Sequence, residues 1–441
     1  MRSIIYVAGF IFILFVSCDK YENDKFRNDD SNTGFYNSTS VLNEPKELWK
    51  FKTNGGIYAS LVSDEKSVYV GSTDSAFYSL NKITGKENWR FKTRGSINST
   101  AIIKEKYTYF LSYDGYLYKL NKKNGKLAWK FKTDGENGHV IKDYFDPNRL
   151  VKDFWDFYQS SPVISDNSIL FGCGKKFYSV DLNTGKEIWS FATEGSVHSS
   201  PAIKDNKILF GSFDSKMYCL DINAGHELWS YQTGKDTTYY VWLGVQASPA
   251  IEGDRVYLGS RDANIYCFDI NSGDTLWTNK NFEQSWMPSS FAVGEKLYCG
   301  SSDGFSFYAI DKNSGNIDYR LKTNSYTFSS PAIDSQMAYI GSANGRLYGI
   351  DIQNQKIVWE FKTHGVLNDT LGVYNEKGEL VAEEYKALGS KMDVRNFENY
   401  VKFYEQMFEN YGAILSSPIV QEGIIYFGSA DGFIYSVSSI K

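Results

Sequence analysis

Apolar residues in this chain occur in short runs where they alternate with polar ones, and residues typical of turns follow each run. Four such runs occupy residues 195–234: Ser199–Ile203, Lys207–Phe210, Lys216–Leu220 and His226–Tyr231. Asp, Asn and Gly lie between them, and these residues tolerate positive φ or hydrogen-bond to their own backbone. The pattern predicts four short antiparallel strands in about 40 residues.

The same unit recurs along the chain, with a tryptophan or tyrosine in each fourth strand. Successive anchors lie 40, 40, 60, 40, 48, 42 and 40 residues apart. They are Trp49, Trp89, Trp129, Trp189, Trp229, Trp277, Tyr319 and Trp359. A second marker, a Gly-Ser pair or a degenerate copy of it before each third strand, also occurs eight times. Four-stranded units repeated radially form a β-propeller.

The two ends of the repeat complement each other. The first copy begins with a lone fourth strand, Glu47–Phe51, and the last copy stops after a third strand, Phe433–Val437. If the N-terminal strand completes the last blade, the ring closes without an open edge. The sequence therefore predicts an all-β, eight-bladed propeller over residues 46–441 with an N-terminal strand closing the last blade.

Three linkers between blades exceed the usual length, by 21, 8 and 47 residues. They cover about residues 134–158, 234–246 and 364–413, and each joins a fourth strand to the next first strand. That connection places all three on one face of the ring, and repeat proteins often carry their insertions on the binding face.

The insertions are rich in aromatic residues. Asp393–Tyr411 has helical apolar spacing, with Asp393 as expected N-cap and Gly412 as stop, and the first insertion also shows helical spacing. We expect two short helices and an aromatic loop that form a lid over the axial funnel. The candidate residues for binding a ligand or partner are Tyr144, Phe154, Trp155, Tyr158, Tyr239, Tyr240, Trp242, Trp286, Phe397 and Tyr404. The alternative is that these aromatics only pack on the propeller and on each other.

The N-terminus has the features of an export signal. Arg2 precedes an apolar run from Ile4 to Val16, which ends in Ser17-Cys18. This predicts a lipoprotein signal peptide over residues 1–17, with Cys18 as the lipidated residue. Residues 18–45 are polar and predict a flexible tether. The expected location is the bacterial outer membrane, on either the periplasmic side or the cell surface, with lipid as the only contact to the membrane.

Charge and residue spacing limit the partners, metals and reactive groups that this chain is expected to use. The formal net charge is −5, which argues against nucleic acid as a partner. Cys173, Cys219, Cys267 and Cys299 lie in strand-like runs and are expected to be buried thiols. The four histidines lack the close spacing of a zinc site, so no metal is expected. The serines before the first strands and the Asp of each Gly-Ser-x-Asp turn are interpreted as structural.

The repeat unit Y-x-G-S-x-D-x-x-x-Y-x-L-D-x-x-T-G-K-x-x-W resembles that of the pyrroloquinoline-quinone (PQQ) propeller family, including its non-catalytic BamB-like lipoprotein branch. The resemblance implies that the anchor tryptophans pack between blades: Trp49, Trp89, Trp129, Trp189, Trp229, Trp277 and Trp359. Catalytic members carry adjacent cysteines near the cofactor, and no two cysteines are adjacent here. We therefore expect no catalytic residues and no cofactor.

These features lead to three hypotheses of function. The first is a monomeric, lipid-anchored scaffold of the cell envelope that binds a protein partner through the insertion face and is BamB-like in outer-membrane protein assembly. The second is a propeller that binds a saccharide or a quinone-like molecule under the aromatic lid. The third, which the cysteine pattern disfavours, is a PQQ-dependent dehydrogenase.

Overall fold

The repeats fold as a ring of antiparallel blades. A computed structural model describes residues 23–136, 138–234, 244–280, 282 and 289–439. Over these residues the strands form eight four-stranded sheets and one two-stranded sheet. In blades 1 to 7 the strands run in chain order from the axis to the rim, so each blade is an antiparallel meander. The predicted eight-bladed propeller is confirmed.

The strands are numbered in chain order. Blade 1 consists of β2 Val62–Ser63, β3 Ser67–Gly71, β4 Ala76–Asn81 and β5 Glu87–Lys92, and blade 2 of β6 Ile102–Lys104, β7 Tyr107–Ser112, β8 Tyr116–Asn121 and β9 Leu127–Lys132. Blade 3 consists of β12 Val163–Ser165, β13 Ser168–Cys173, β14 Lys176–Asp181 and β15 Glu187–Ala192, and blade 4 of β16 Ala202–Lys204, β17 Lys207–Gly211, β18 Lys216–Asp221 and β19 Glu227–Gln232. Blade 5 consists of β20 Ala250–Glu252, β21 Arg255–Gly259, β22 Ile265–Asp269 and β23 Thr275–Asn279, and blade 6 of β24 Ala292–Val293, β25 Leu297–Gly300, β26 Ser306–Ile310 and β27 Ile317–Lys322. Blade 7 consists of β28 Ala332–Ile333, β29 Met337–Gly341, β30 Arg346–Asp351 and β31 Lys356–Lys362, and blade 8 of β32 Ile419–Gln421, β33 Ile424–Gly428, β34 Phe433–Ser438 and β1 Lys46–Lys52.

The ring closes through strands from both ends of the chain. β1 pairs antiparallel with β34, from Lys46 opposite Ser438 to Lys52 opposite Phe433. This pairing of β1 with β34, which we call the clasp, gives blade 8 its outermost strand without a covalent link. An open edge of β34 would otherwise expose unpaired N–H and C=O groups.

A closed ring of hydrogen bonds surrounds the axis where the first strands begin. The backbone N–H of one residue in each blade donates to the side-chain hydroxyl of the equivalent residue in the next blade, at 2.9–3.2 Å. The members are Ser60, Thr100, Ser161, Ser200, Ser248, Ser290, Ser330 and Ser417. Small hydroxyl residues recur here because each must satisfy a buried N–H in a crowded space.

Six of the seven anchor tryptophans lie over glycines of the next blade, whereas Trp359 donates its indole N–H to the Val41 carbonyl at 2.8 Å. The Trp49 indole N–H donates to the Lys82 carbonyl at 2.9 Å, and a Cβ on Gly85 would come within 2.6 Å of the ring. Gly85 has φ +67°, so the turn needs glycine both for its backbone and for the ring above it. The same contact joins Trp89 to Gly125, Trp129 to Gly185, Trp189 to Gly225, Trp229 to Gly273 and Trp277 to Gly315.

The polar N-terminal segment is not a free tether over the part that the structure describes. Residues 23–36 cross the face of the ring opposite the insertions, along the inner strands. Equivalent N–H groups of six blades donate to carbonyls of this segment: Ser63, Ile103, Ile203, Ile251, Val293 and Ile333. The prediction of a flexible tether over residues 18–45 is therefore wrong for residues 23–36.

Two side chains fix this segment to the ring. The buried Arg27 guanidinium donates to the carbonyls of Pro331 at 2.6 Å and Phe291 at 2.7 Å. Asn32 donates through its amide to the carbonyls of Pro201 and Pro249 at 3.0 and 3.1 Å. Polar composition suggested disorder, but here the polar atoms satisfy inner-strand groups that lack partners within the blades.

The insertions contain different elements from those predicted. The first forms a hairpin, β10 Val140–Lys142 with β11 Leu150–Lys152, and no helix is present in its described residues. The third contains α1 His364–Leu367, α2 Ala382–Met392 and α3 Phe397–Tyr411. Asn396 caps α3, whereas Asp393 ends α2 in the left-handed conformation, so the predicted N-cap is wrong; Gly412 ends α3 as expected.

Candidate functional site

The first and third insertions lie on the same face and pack against each other. Trp155 from the first contacts Tyr404 of α3 with ring centroids 4.9 Å apart. Phe154 stacks on Phe408, and Tyr144 contacts Phe397 at 5.9 Å. We call this surface the insertion face. Residues 235–243 of the second insertion lie outside the described residues.

Most of the candidate aromatic residues form the interior of the insertion face. Trp155 is 3% exposed, Tyr404 6% and Phe397 7%. Tyr144, Phe154 and Tyr158 are half-buried, and the Tyr158 hydroxyl donates to the Leu415 carbonyl at 2.9 Å. The structure brings these six residues together as packing groups. Tyr239, Tyr240, Trp242 and Trp286 lie outside the described residues.

Exposed apolar side chains of the insertion face lie instead on the β10–β11 hairpin and, in the third insertion, at Leu367 and Leu380. Val140 is 49% exposed and Leu150 is 68% exposed, and both share the outer side of the hairpin with Lys142 and Lys152. Phe145 at the hairpin tip is 44% exposed. Sequence reasoning missed these residues because it predicted a helix in this insertion from the spacing of Val151, Phe154, Trp155 and Tyr158 and assigned no element to residues 140–150.

A turn signal was available in the sequence to find this hairpin. Asp146-Pro147-Asn148 separates two runs that contain Val140-Ile141 and Leu150-Val151. Such a turn between β-branched runs favours a hairpin over a helix, because proline interrupts helical hydrogen bonding.

The hairpin has a rigid support. Its inner side chain Ile141 is fully buried and packs with Phe397 and Val401 of α3. Arg149 pairs with Asp143 at 2.9 Å and with Glu398 of α3 at 2.8 Å. The outer apolar residues are therefore presented on a fixed element rather than on a free loop.

A buried ionic cluster joins the first insertion to blades 3 to 5. The two ring nitrogens of His198 lie 2.8 Å from an Asp156 carboxylate oxygen and 2.7 Å from one of Glu136. Arg261 pairs with Asp153, and both are buried. His139 stacks on Phe213 with ring centroids 4.1 Å apart.

Burial and the charged groups of this cluster shift the pKa values of its members. Burial alone would lower the pKa of His198, but Asp156 and Glu136 outweigh it and raise that pKa well above its ordinary value. Burial raises the pKa of Asp156, whereas His198 and Arg261 lower it, and the net shift is downward. Burial, followed by the charge of Arg261, lowers the pKa of His139 to about 4. His198 is thus a cation held between two carboxylates, which positions the insertion.

The recurring aspartates serve local structure. Asp74 accepts hydrogen bonds from the Ala76 N–H at 2.8 Å and the Tyr78 hydroxyl at 2.5 Å, and it also accepts from Asn54 of the preceding linker. Asp214 and Asp262 repeat the arrangement in blades 4 and 5. Within the described residues no group of three or more His, Cys, Asp or Glu side chains has a metal-binding arrangement. Cys173, Cys219, Cys267 and Cys299 are buried thiols outside any disulfide.

The axial channel holds a cavity of about 60 Å³. Its walls include the hydroxyl ring, with Tyr58, Tyr158 and Phe328 toward the insertion face and Phe26 toward the opposite face. This space suits a few water molecules, whereas pockets for drug-sized ligands measure roughly 300–1,000 Å³.

The residues around the axis do not fit pyrroloquinoline quinone. That cofactor is a fused tricyclic tricarboxylate, which needs a wide slot and cations for its carboxylates. The cavity is far smaller than such a slot, and its two charged wall residues, His198 and Arg261, already contact carboxylates of the first insertion. No chemical step is therefore derived through this cofactor.

Fold and repeat together define the class of protein, an eight-bladed β-propeller with PQQ-like repeats. A family model described as outer membrane protein assembly factor BamB matches residues 39–144, 155–280 and 241–369. Because these matches span most of the chain, the protein belongs to this family. No curated protein matches the sequence.

Solved structures with the same fold include non-enzymes and enzymes. BamB from Moraxella catarrhalis is 14% identical, with a TM-score of 0.63, and the match covers 89% of this chain and 99% of that one. Quinohemoprotein alcohol dehydrogenase from Comamonas testosteroni is 10% identical, with a TM-score of 0.69, and the match covers 95% and 80% of the two chains. A europium-containing methanol dehydrogenase is 11% identical, with a TM-score of 0.64 and coverage of 95% and 98%. At these identities the likeness shows the fold alone, which is compatible with a non-enzyme or an enzyme.

Proposed function

We propose that this protein is a non-catalytic, lipid-anchored scaffold of the bacterial outer membrane. In this proposal Cys18 carries the lipid, and the insertion face binds a protein partner in outer-membrane protein assembly. Within the described residues no helix is long and apolar enough to cross a membrane.

One observation carries the proposal: three exposed apolar side chains are grouped on a supported hairpin, outside the axial channel. Val140, Phe145 and Leu150 are exposed together on the hairpin. Exposed apolar patches beside charged residues are typical of protein interaction sites. A cavity of about 60 Å³ favours this surface over a ligand site in the funnel.

The chemistry of the hairpin defines the kind of partner. Lys152 and Lys142 flank the apolar side chains on the outer side of the hairpin. A partner that buries Leu150 would need an apolar surface bordered by acidic groups, because burying the neighbouring Lys152 ammonium without an opposite charge is costly. The proposed occupant is therefore an envelope protein with an acidic-rimmed apolar patch.

Variants of the hairpin test this proposal. Leu150→Asp places a carboxylate in the middle of the exposed patch and is expected to abolish recovery of an outer-membrane assembly protein with the tagged chain from gently solubilised envelopes. Ile188→Asp is the matched control, because Ile188 is also half-exposed but lies on the outer strand of blade 3. Quantitative mass spectrometry measures how much of the assembly protein is recovered with each variant. Equal recovery from both variants, or no assembly protein with the unmodified chain, would contradict the proposal.

The small-molecule hypothesis has a separate test. A specific saccharide or quinone ligand would raise the apparent melting temperature by mass action. We expect no shift with sugars or with quinones, including PQQ with calcium. A concentration-dependent shift that Phe328→Ala removes would instead favour a ligand in the axial channel.

A further inference from the structure

The face opposite the insertions carries an uneven charge. This surface, which we call the cap face, consists of residues 23–36, the hairpins joining first to second strands and the turns joining third to fourth strands. Blades 1 and 2 expose six lysines on it: Lys66, Lys86, Lys104, Lys106, Lys123 and Lys126. The exposed acidic residues among these turns are Glu65 and Glu105. This part of the cap face is strongly basic.

The basic part is one continuous surface with an apolar residue in it. The Lys122 carbonyl of blade 2 accepts hydrogen bonds from Tyr69 and Trp89 of blade 1, at 3.4 and 3.0 Å. The Lys122 ammonium pairs with Asp64 of blade 1 at 3.1 Å. Ile83, in the blade 1 turn, is 85% exposed, more than any other large hydrophobic side chain in the described residues. Lysines around an exposed isoleucine are typical of surfaces that meet a lipid headgroup layer.

The opposite side of the same face is acidic. Blade 5 exposes Glu252, Asp254 and Asp274 on its hairpin and turn. Lys312 of blade 6 pairs with Glu252 at 2.7 Å, and Lys204 of blade 4 pairs with Asp254 at 3.7 Å, so these two lysines neutralise part of this charge. In an eight-bladed ring, blade 5 lies across the axis from blade 1. An anionic surface would therefore attract the blade 1–2 side of the cap face and repel the blade 5 side.

The chain enters the cap face at its basic side. The Asn23 carbonyl accepts from Ser63 of blade 1 at 2.8 Å, and the Asp24 carbonyl accepts from Ile103 of blade 2 at 2.7 Å. Cys18 precedes Asn23 by only five residues. Five residues span at most about 18 Å, so a lipid on Cys18 would hold this side of the ring close to the bilayer.

We propose that the cap face of blades 1 and 2 binds an anionic lipid surface, with the insertion face turned away from it. The proposal goes beyond the scaffold function and rests on the proposed Cys18 anchor only for its orientation. The basic surface itself lies within the described residues and binds by charge attraction to phosphate headgroups, with Ile83 entering the interface.

Vesicle partition of the unlipidated protein tests the proposal. The chain starting at Asp19 keeps every described residue and carries no lipid, so only its surface can bind. We expect it to sediment with phosphatidylglycerol-containing vesicles at low ionic strength and not with pure phosphatidylcholine vesicles. Each lysine beside an anionic membrane contributes a factor of about five. The variant Lys104→Gln/Lys106→Gln/Lys123→Gln/Lys126→Gln should therefore bind at least tenfold more weakly.

A matched variant on the other face is the control. Lys377→Gln/Lys386→Gln/Lys391→Gln/Lys402→Gln removes the same charge from exposed lysines of the insertion face and should bind within twofold of the unmodified chain. Equal losses from both variants, or no preference for anionic vesicles, would overturn the proposal. Mass spectrometry of the native protein tests the anchor separately, since an unlipidated Cys18 would contradict the proposed function without changing the vesicle result.

Discussion

A single indole ring sets the contact between neighbouring blades. Trp89 donates its N–H to the Lys122 carbonyl of the next blade at 3.0 Å and lies over Gly125, whose φ is +69°. Any side chain at Gly125 would meet the ring and would also strain the backbone. The repeated Trp of one blade and the Gly of the next blade therefore form one structural unit across the contact between the two blades.

His198 shows how a residue outside the repeat pattern fixes an insertion. His198→Gln is expected to destabilise the protein by about 3 kcal/mol or more, because it removes the one cation that contacts the buried carboxylates of both Glu136 and Asp156. Urea unfolding measures the change. His226→Gln, at an exposed position, should change stability by no more than about 0.5 kcal/mol. Similar losses from both variants would show that the ionic cluster does not hold the insertion.

His139 predicts a dependence of stability on pH. Its folded-state pKa is about 4, below the ordinary value of 6.5. As pH falls from 6.5 to 4 the unfolded chain binds a proton that the folded chain does not, so stability decreases by about 3 kcal/mol in this window. The variant His139→Phe keeps a ring against Phe213 and removes the titration. The difference in unfolding free energy between the two proteins should change over this range, and a constant difference would contradict the assignment.

At the scale of elements, the N-terminal segment behaves as part of the ring. We expect the folded chain to resist trypsin after Lys25 and Arg27, because Arg27 is buried and the segment is hydrogen-bonded to inner strands of six blades. N-terminal sequencing of the products measures this. Arg27→Gln removes the contacts to Pro331 and Phe291 and should make Lys25 cleavable. Rapid cleavage of the unmodified chain at both sites would instead support a free tether.

The propeller was predictable from the sequence, since each blade uses local turns and a tryptophan at regular spacing. The clasp between β1 and β34 also followed, because the repeat begins with a fourth strand and ends with a third. These features depend on local pattern, which a single sequence displays directly.

The insertion and the N-terminal segment were less predictable because their structures depend on distant residues. The run with Val151, Phe154 and Trp155 has helical spacing, yet Val151 is in β11 and the two aromatics pack on α3, more than 200 residues away in the chain. Likewise, nothing in residues 23–36 themselves indicates that six inner strands offer N–H groups to them. Burial of the six described aromatic candidates follows from the same long-range packing.

At the scale of the whole molecule, the two faces have different chemistry. The cap face carries the N-terminal segment and a basic side on blades 1 and 2, and the insertion face carries an aromatic interior with an apolar hairpin outside. A ring of eight hydroxyl hydrogen bonds and a small axial cavity separate them. This difference between the two faces suits a scaffold that contacts a membrane with its cap face and binds a protein with its insertion face.

Photo-crosslinking from one site on each face, in intact cell envelopes, tests this arrangement most directly. A photoreactive amino acid replaces Leu150 on the hairpin in one protein and Ile83 on the cap face in another, since both side chains are exposed. We predict that position 150 crosslinks to an envelope protein and that position 83 crosslinks to phospholipid. Crosslinks to lipid from position 150, together with crosslinks to protein from position 83, would contradict both the docking face and the orientation.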